Sequence, residues 1–590
     1  VVVLYAGELV WRERASRLDG VFDSLPTAGW VYPGAKLAAL VVVTAIFIGA
    51  GILATVAFQL ISGFNHIEPG LYAKGALVAG VPFVLLAVVS LFLQVVAKNK
   101  FVGMLLVIVL MVWRRFASTL GFEHHLFVFG GRPPAAHSDM NGYGHYASPF
   151  VWFSLHWGFA AAILLVLSVL LLVRGTERSP RVRFAQARVR WGRGVRVATA
   201  VAVVGWVATG AFIYYNTNVL NEYVPRSARL QRRADYEIKY SEYRDLTVPC
   251  ITSVRADIDM YPRERRVEIR GTYRLENRSE EAIRLIPVST SGRSDAHNYL
   301  PFGGRLNVNR IYLPEHTLLV ADEKLGFYVY RLEEALAPGQ TMEFGFDVTA
   351  RNRGFKNRRQ DQRIVGNGTF FANKNLFPAL GYTRVNELVS PKDRRDHGLP
   401  PARRAPGIDD VAARDHNYLG ADWTQYETTL STCAGQIAIG PGRLEKEWVE
   451  GDRSYFHYKT DVPMINFAVF ASAEYEVARD NWNDVAIEIY YHPKHPFNIG
   501  LLIDTTKESL DYFTGAVGPY PHGQIRIIEV PNYIGRTAFS LAHTIPFSES
   551  WGFITRESDR VIDMTRCVTA HEIAHQWWNH QVVPANVQGA

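Results

Sequence analysis

The chain contains little cysteine: three residues among 590, namely Cys250, Cys433 and Cys567. So small a number excludes a disulfide scaffold. Cys250 and Cys433 could form one disulfide if their part of the chain faces an oxidising compartment, but buried, unpaired thiols are the favoured interpretation. Cys567 is likewise predicted to pack in the interior rather than to bind a metal.

Most of the chain also has no excess of positive charge. The formal net charge is +7, but the segment from Arg174 to Arg196 alone holds eight arginines and one glutamate. The remainder is close to neutral, so it lacks the basic surface that binding to DNA or RNA requires. Nucleic acid is therefore excluded as a partner.

What the chain has in excess is apolar sequence before about residue 217. Apolar residues make up 48% of the chain and the mean hydropathy is −0.02, which is high for a soluble protein. Residues 1–33 mix arginine and glutamate with leucine and tryptophan. We expect them to form an amphipathic cytoplasmic segment on a membrane surface, with a solvated surface helix as the alternative.

Residues 34–217 are predicted to be a transmembrane region of about five helices. Four apolar runs have the length of about 20 residues that a spanning helix needs, and a fifth is interrupted by Arg114 and Arg115. Positively charged loops stay in the cytoplasm, so the turn at Lys98 and the arginine-rich segment should both lie inside. Both can lie inside only if the interrupted segment between them also spans the membrane, which gives five spans. Everything after Tyr215 then lies outside, with the N-terminus inside. The predicted spans are 37–61, 75–97, 101–120, 150–173 and 197–214.

The loop between the third and fourth predicted spans, residues 121–149, is rich in potential metal ligands. A second metal site is one interpretation. An irregular cap over the spans is favoured, because no pair of these residues has the spacing of a known metal site. The ligand types present are four histidines and an aspartate: His124, His125, His137, Asp139 and His145.

Residues 240–478 alternate between apolar and polar side chains, which predicts a β-rich, sandwich-like domain. The segment 386–415, rich in proline, arginine and aspartate, is predicted to be a surface loop of this domain. From residue 479 helices return, with a helix over 499–513, a strand over 525–530 and a further helix from about Ser558. The predicted strands are 254–260, 266–275, 326–331, 342–348, 426–432, 455–460, 467–477 and 485–491.

The most specific motif is His571-Glu572-Ile573-Ala574-His575. Positions four apart lie on one face of a helix, so the two histidines can bind one metal ion with Glu572 beside them. This pattern binds Zn²⁺ in metalloproteases, in which water on the metal attacks a carbonyl and the glutamate takes the proton. Two histidines hydrogen-bonded inside a core are the alternative, but that role needs no glutamate between them.

Residues at three- and four-residue spacing predict that the motif lies on a helix. We expect the stripe that they form to be buried where it is apolar and then to reach the metal pair. The stripe consists of Val561, Met564, Val568, His571, His575 and Trp578.

The motif continues as Gln576-Trp577-Trp578, and from about residue 240 the chain resembles the M1 family of zinc metallopeptidases, the gluzincin aminopeptidases. The resemblance implies that His571 and His575 are zinc ligands and that Glu572 is the general base. It also implies that residues 479–590 begin a mostly α-helical, thermolysin-like catalytic domain. The stretches 518–521 and 527–531 are similar to the sequence that precedes the family's substrate strand.

Residues 537–549 are similar to that substrate strand, Gly-Ala-Met-Glu-Asn followed by three residues at fixed offsets. By this resemblance Ala538, Phe539 and Ser540 are expected to bind substrate. Ser540 replaces the family's glutamate, which grips the free amino terminus of the substrate. A serine cannot neutralise an ammonium group, so strict aminopeptidase specificity is not implied. The residues that match at the later offsets are Ile545, Phe547 and Glu549.

Two further residues of the family's site are expected beyond Ala590. The resemblance places the third zinc ligand, a glutamate, about four positions past this residue, and a tyrosine that stabilises the tetrahedral intermediate later still. Two histidines alone should hold zinc poorly, because zinc sites use three or four protein ligands. The chain is therefore expected to be a fragment with an incomplete site.

The N-terminal third resembles the permease half of an ABC-2 type exporter. Bacterial proteins that fuse such a permease to an M1-like domain would account for the whole chain, which implies a bacterial inner or plasma membrane and an extracytoplasmic catalytic domain. The sequence contains no nucleotide-binding P-loop, so any ATPase would be a separate subunit.

Two functions follow from these patterns. The first is a membrane-anchored zinc peptidase, aminopeptidase-like, that hydrolyses peptide bonds. The alternative is an ABC-2 type transporter permease component whose M1-like domain binds peptides without cutting them. Ser540 favours the alternative, and the intact set of His571, Glu572 and His575 favours the peptidase.

Overall fold

The computed structural model describes residues 2–173, 179–290, 307–403, 407, 409–411, 423–535, 537–555 and 562–583. The chain divides into two compact units. We call the first the helical unit; it comprises Val1–Ala135, His145–Pro225 and Gly354–Gln360. The second, the β-rich unit, comprises Ala136–Gly144, Arg226–Arg353 and Asp361–Ala590. A nine-residue stretch of the 121–149 loop, Ala136–Gly144, thus belongs to the β-rich unit.

The helical unit is built from the long apolar runs of the sequence. Among the described residues, four helices are long and apolar enough to cross a membrane. Four of the predicted apolar runs are thus helices of suitable length, and their crossing of a membrane stays a prediction. They begin up to six residues before the predicted limits, because Pro, Gly and polar residues continue the helix at the membrane edge. The helices of this unit are α1 (Val2–Ala15), α2 (Asp19–Ser24), α3 (Val31–Ile61), α4 (Pro69–Val96), α5 (Lys100–Phe116), α6 (Ala147–Leu171), α7 (Pro180–Arg190) and α8 (Arg193–Tyr214).

The predicted fifth span corresponds to α5, a helix of 17 residues. The Asn99 side chain caps its first turn by accepting a hydrogen bond from the Val102 N–H (2.9 Å). Its last turn carries Arg114 and Arg115, and it is not among the four helices long and apolar enough to span. The number of five spans and their orientation therefore stay predictions.

The amphipathic segment at the N-terminus packs within the helical unit. Ala6 on α1 and Ala87 on α4 are fully buried in one apolar cluster. Farther along α1, the Trp11 indole N–H donates to the side-chain oxygen of Gln94 on α4 (3.0 Å). The Glu13 carboxylate of α1 pairs with Lys36 on α3 (2.7 Å). One side of the segment is thus covered by other helices, and its cytoplasmic location stays a prediction.

The β-rich unit contains most of the predicted strands, with ends that differ by a few residues. The short or irregular strands were missed, because they are too brief to show alternation. All the strands of this unit within the described residues are β1 (Cys250–Tyr261), β2 (Arg266–Glu276), β3 (Ile283–Ser289), β4 (Asn307–Tyr312), β5 (His316–Asp322), β6 (Phe327–Leu336), β7 (Thr341–Arg351), β8 (Thr369–Ala372), β9 (Ala379–Leu380), β10 (Trp423–Cys433), β11 (Ile437–Ile439), β12 (Arg443–Glu450), β13 (Arg453–Lys459), β14 (Met464–Ile465), β15 (Val469–Ala473), β16 (Glu476–Trp482), β17 (Val485–Tyr491), β18 (Gln524–Val530) and β19 (Thr544–Ser548).

Two of the sheets form a sandwich. The larger has the order β12-β13-β10-β1-β2-β7-β4, with β14 beside β10, and the other has the order β5-β6-β3-β9. Side chains such as Ile258 and Phe344 of the larger sheet share one apolar core with Ile286 and Val288 of the smaller. Alternate residues of β1 and β2 point into this core, as the period-two pattern predicted. A three-stranded sheet, β11-β15-β8, lies in the same unit.

The end of the β-rich unit is an α/β layer. The sheet β16-β17-β18-β19 has parallel pairs at β17–β18 and β18–β19. Helix α12 (Ile499–Ala516) connects β17 to β18 in the manner of a βαβ unit. Helix α13 (Met564–Ala574) packs beside it, and both cover the apolar side chains of the sheet. The other α-helices of this unit among the described residues are α9 (Arg226–Tyr240), α10 (Asn373–Leu376) and α11 (Pro391–Asp396).

None of the three cysteines takes part in a disulfide. Cys250 and Cys433 are half-buried rather than buried, and Cys567 is exposed. The prediction that Cys567 packs in the interior is wrong, because this residue lies on the outer face of α13.

A cluster of titratable side chains, two of them buried, lies at the end of β18. The His495 Nδ1 is hydrogen-bonded to the Glu529 carboxylate, and its Nε2 lies 3.5 Å from an Asp139 carboxylate oxygen. Burial by itself favours neutral imidazole, but the hydrogen bonds and charges of the two carboxylates outweigh it and raise the pKa of His495 to about 9. We infer that His495 is a cation at neutral pH.

The raised pKa of His495 predicts a pH-dependent contribution to stability. The contribution is complete below the ordinary histidine pKa of about 6.5 and is lost as the pH rises through 9. We expect the full-length protein to be more stable than His495→Gln at pH 6, by an amount on the order of 2 kcal/mol, with the difference shrinking toward pH 10. Thermal unfolding across this range is the measurement. Burial raises the pKa of Glu549 to about 7, but this group titrates in both proteins and its effect cancels in their difference. A difference in stability that stays constant from pH 6 to pH 10 would contradict the prediction.

Candidate functional site

The HExxH motif lies on α13 as predicted. The Asp563 side chain caps this helix by accepting a hydrogen bond from the Arg566 N–H (3.1 Å). The helix was predicted to start near Ser558, but residues 558–561, including Val561, lie outside the described residues, and the described helix begins at Met564. Helical hydrogen bonding ends close to His575, which is the C-cap residue with α-helical backbone angles.

The prediction of which face of α13 is buried is wrong. Met564 is 50% exposed and Trp578 46% exposed, although both belong to the predicted stripe. Threonines are buried instead, since the Thr569 hydroxyl donates to the Thr565 carbonyl (2.7 Å) and needs no other partner. Hydropathy therefore misassigned the face. The buried residues are Thr565, Thr569, Glu572, Ile573, Gln576 and Trp577.

The two histidines of the motif lie side by side on the outer side of the helix. Their ring centroids are 4.8 Å apart, with the rings nearly perpendicular. The His575 Nδ1 lies 3.3 Å from the Trp578 carbonyl oxygen and 3.3 Å from the Asn579 side-chain nitrogen. In the tautomer that donates to the carbonyl, the proton is on Nδ1 and the Nε2 lone pair is available. Histidine metal ligands are commonly oriented by such a contact.

Glu572, the residue that follows His571, is buried. Its Oε2 has no hydrogen-bond partner among the described residues, which is costly for a carboxylate. Burial raises the pKa of Glu572 to about 7. A buried polar atom without a partner next to two free-facing imidazoles is typical of a site that receives a further group.

The predicted substrate strand forms a hairpin with β19. Ala538 pairs with Phe547, and the Phe539 N–H donates to the Pro546 carbonyl (3.2 Å). Ala538 packs on the apolar cluster of α13, while Phe539 packs on a second cluster that contains Phe370. The structure places these residues beside the motif helix, and their role in binding substrate stays a prediction.

Gln576 connects this hairpin to the motif helix, a role that the sequence did not indicate. Its side-chain N–H₂ donates to the Ser540 hydroxyl (2.5 Å) and to the Leu541 carbonyl (2.8 Å), and its oxygen accepts from the His543 N–H (2.8 Å). Gln576 is completely buried. Both amide hydrogens of Gln576 and one lone pair of its side-chain oxygen therefore bind the hairpin turn.

His543, in the same turn, was also missed. Its Nε2 accepts a hydrogen bond from the Gly442 N–H (3.1 Å), which requires the neutral ring. Burial holds the pKa of His543 well below its usual range. An isolated histidine carries no motif, so only the tertiary contacts identify it.

The donor atoms of His571 and His575 fit two positions of a zinc site. Across the described ranges, no group of three or more His, Cys, Asp or Glu residues is arranged to hold a metal ion. A zinc site therefore needs a ligand that the described residues do not contribute. The same finding contradicts the second metal site hypothesised in the 121–149 loop.

The favoured alternative for that loop is also only partly right. His124 and Thr217 are hydrogen-bonded within the helical unit (3.0 Å), but Ala136–Gly144 belongs to the β-rich unit. A nine-residue part of the loop is therefore a structural element of the unit that carries the HExxH motif, rather than part of a cap over the spans.

Comparison with known proteins gives limited results. No family model matches the chain, and no curated protein matches it. Among the solved structures that match is a mutant of the M1 zinc metallopeptidase of Deinococcus radiodurans, with 12% identity and a TM-score of 0.38, covering 57% of this chain and 66% of that chain. The chain thus spans just under two thirds of that structure, and any functional assignment must come from the site residues themselves.

Proposed function

We propose that the chain is a membrane-anchored, zinc-dependent peptidase of the M1 type, aminopeptidase-like, whose catalytic domain begins at about residue 479 with a thermolysin-like arrangement. The observation that carries this proposal is the pair of outward imidazoles of His571 and His575, 4.8 Å apart, with the buried carboxylate of Glu572 between them. The substrate would be a peptide.

Each residue of the motif has a chemical role in this proposal. When bound, zinc would acidify a water molecule and polarise the peptide carbonyl. His571 and His575 would hold the ion through neutral nitrogens, and the contact of His575 Nδ1 with the Trp578 carbonyl would orient the second ring. Glu572 accepts the proton of the attacking water and delivers it to the leaving amine.

The hairpin supplies the surface along which a peptide would lie. An extended peptide can add to the free edge of a strand through main-chain hydrogen bonds, and residues 538–540 are positioned for this by their pairing with β19. Ser540 is engaged by Gln576 and carries no charge. We propose that the substrate's main chain, rather than a charged terminus, is recognised at this position.

The helical unit would anchor the peptidase in the membrane. Four apolar helices support membrane association. The exposed side chains of α3 and α5 include Phe58, Leu53, Phe101 and Leu105, which would face lipid. We propose that the membrane is a bacterial inner or plasma membrane, that the β-rich unit lies outside the cytoplasm, and that an ATPase, if the helices act as an ABC-2 type permease, is a separate subunit.

The transporter function is the second candidate. Ser540 favours it, because no carboxylate is present at the position where the family binds an amino terminus. In that case the M1-like domain would bind peptides without cutting them, and the helices would carry the activity.

Replacing the general base tests the peptidase proposal. We expect Glu572→Gln in the full-length protein to lower kcat for a peptide substrate by about 10²–10⁴-fold, since a carboxamide cannot accept the proton. Glu334→Gln is the matched control, because Glu334 is an exposed residue of β6. Hydrolysis at an equal rate by both variants would exclude the proposed mechanism and favour the transporter.

The metal ligands are tested by metal content. We expect the purified full-length protein to contain about one zinc ion per chain and His571→Ala to contain almost none, because loss of one of three ligands leaves too few donors. His316→Ala, on the exposed strand β5, should retain the metal. Equal zinc content in His571→Ala and the control would contradict the ligand assignment.

The orientation in the membrane is tested by reporter fusion. A reporter that is active only outside the cytoplasm should be active when fused after Tyr215 and inactive when fused after Lys98, because the positively charged turn is expected inside. Activity in the second fusion and none in the first would invert the proposed topology.

A further inference from the structure

The Ala136–Gly144 loop, which the sequence motifs do not connect with the candidate site, binds the buried carboxylate of Glu549. The Ser138 hydroxyl donates to Glu549 Oε2 (2.9 Å). The Asp139 N–H donates to Glu549 Oε1 (3.3 Å), and the Met140 N–H lies 3.4 Å from Oε2. Three donors from consecutive residues of one loop thus converge on one side chain.

Glu549 needs these donors because it is 2% exposed. A buried carboxylate is costly unless it is hydrogen-bonded. A further donor that acts on it is the backbone N–H of Asn532. The loop therefore supplies most of the hydrogen bonds that make this burial tolerable.

Glu549 lies at a position from which its contact with the loop can affect the candidate site. Glu549 follows β19 directly and begins the π-helical turn Glu549–Phe553. This turn contacts the motif helix, since the Thr565 hydroxyl of α13 donates to the Trp551 carbonyl (2.8 Å). On its other side, β19 is the hairpin partner of residues 537–541. Glu549 thus lies where the hairpin and α13 meet.

The loop is itself anchored at several points of the β-rich unit. Met140 is buried in the apolar cluster that contains Leu541 of the hairpin. The Tyr533 hydroxyl donates to the Gly142 carbonyl (2.6 Å), and the Asn367 side chain donates to the Met140 carbonyl (2.7 Å). These contacts make the loop a rigid support rather than a loose connection.

We propose that Ser138 is a positioning residue for the candidate active site: by holding Glu549, it fixes the end of β19 and the Glu549–Phe553 turn against the motif helix. The proposal rests on the proposed function as far as activity is concerned, but its structural part does not. Ser138 acts through Glu549 and touches neither the metal pair nor Glu572.

Hydrogen exchange of the full-length protein tests this role directly. Ser138→Ala removes one donor from a buried charged acceptor, and we expect amide exchange in residues 541–553 to become about tenfold faster. The matched control is Ser148→Ala, at the exposed start of α6, which should leave exchange in this segment unchanged. We expect kcat/KM for a peptide to fall about tenfold in Ser138→Ala and to stay unchanged in Ser148→Ala.

A second variant covers the case that Ser138→Ala fails to fold. Glu549→Gln keeps the size of the side chain but replaces one carboxylate oxygen with an NH₂ group, which only donates. Because Ser138 donates to Oε2 and the Asp139 N–H donates to Oε1, one of these two donors then faces another donor. The same segment should again exchange faster. Unchanged exchange in both variants would overturn the proposal, and so would faster exchange without any loss of kcat/KM. If instead Glu572→Gln keeps full activity, the proposed function fails while the exchange data still decide the role of Ser138.

Discussion

The burial of one face of α13 on the last sheet is the constraint on which the site depends. Ile573 and Trp577 join the apolar core of β17, β18 and β19, which sets the rotation of the helix about its axis. Because a helix turns once in 3.6 residues, this rotation alone sends His571 and His575 outward and Glu572 inward.

Polar contacts then set the position of the neighbouring hairpin. Gln576 holds its turn through three hydrogen bonds, and Glu549 holds its far end through the Ala136–Gly144 loop. Both side chains are buried, so each unmade hydrogen bond would cost the full desolvation of the group. Buried polar networks of this kind specify one arrangement where apolar packing alone would permit several.

Many elements were predictable because their patterns are periodic and long. The four apolar runs became helices, and strands such as β17 were predicted at their exact ends, since alternation over seven residues has no helical equivalent. The buried face of α13 was not predictable from hydropathy, because Thr565 and Thr569 satisfy their hydroxyls within the helix and can be buried as if apolar. Met564 and Trp578 then remain on the surface.

The sequence by itself determined the chemistry on offer: two imidazoles and a carboxylate at helical spacing, and helices apolar enough for a membrane. Spacing along one helix is local and follows from its period, so no tertiary information is needed. Only the tertiary structure decided that Ser138 contacts Glu549 and that Gln576 contacts the hairpin turn, because these contacts depend on packing that no local pattern encodes. The assignment of the Ala136–Gly144 loop to the β-rich unit is of the same kind, since it depends on the burial of Met140 and on the hydrogen bonds that a lone buried carboxylate requires.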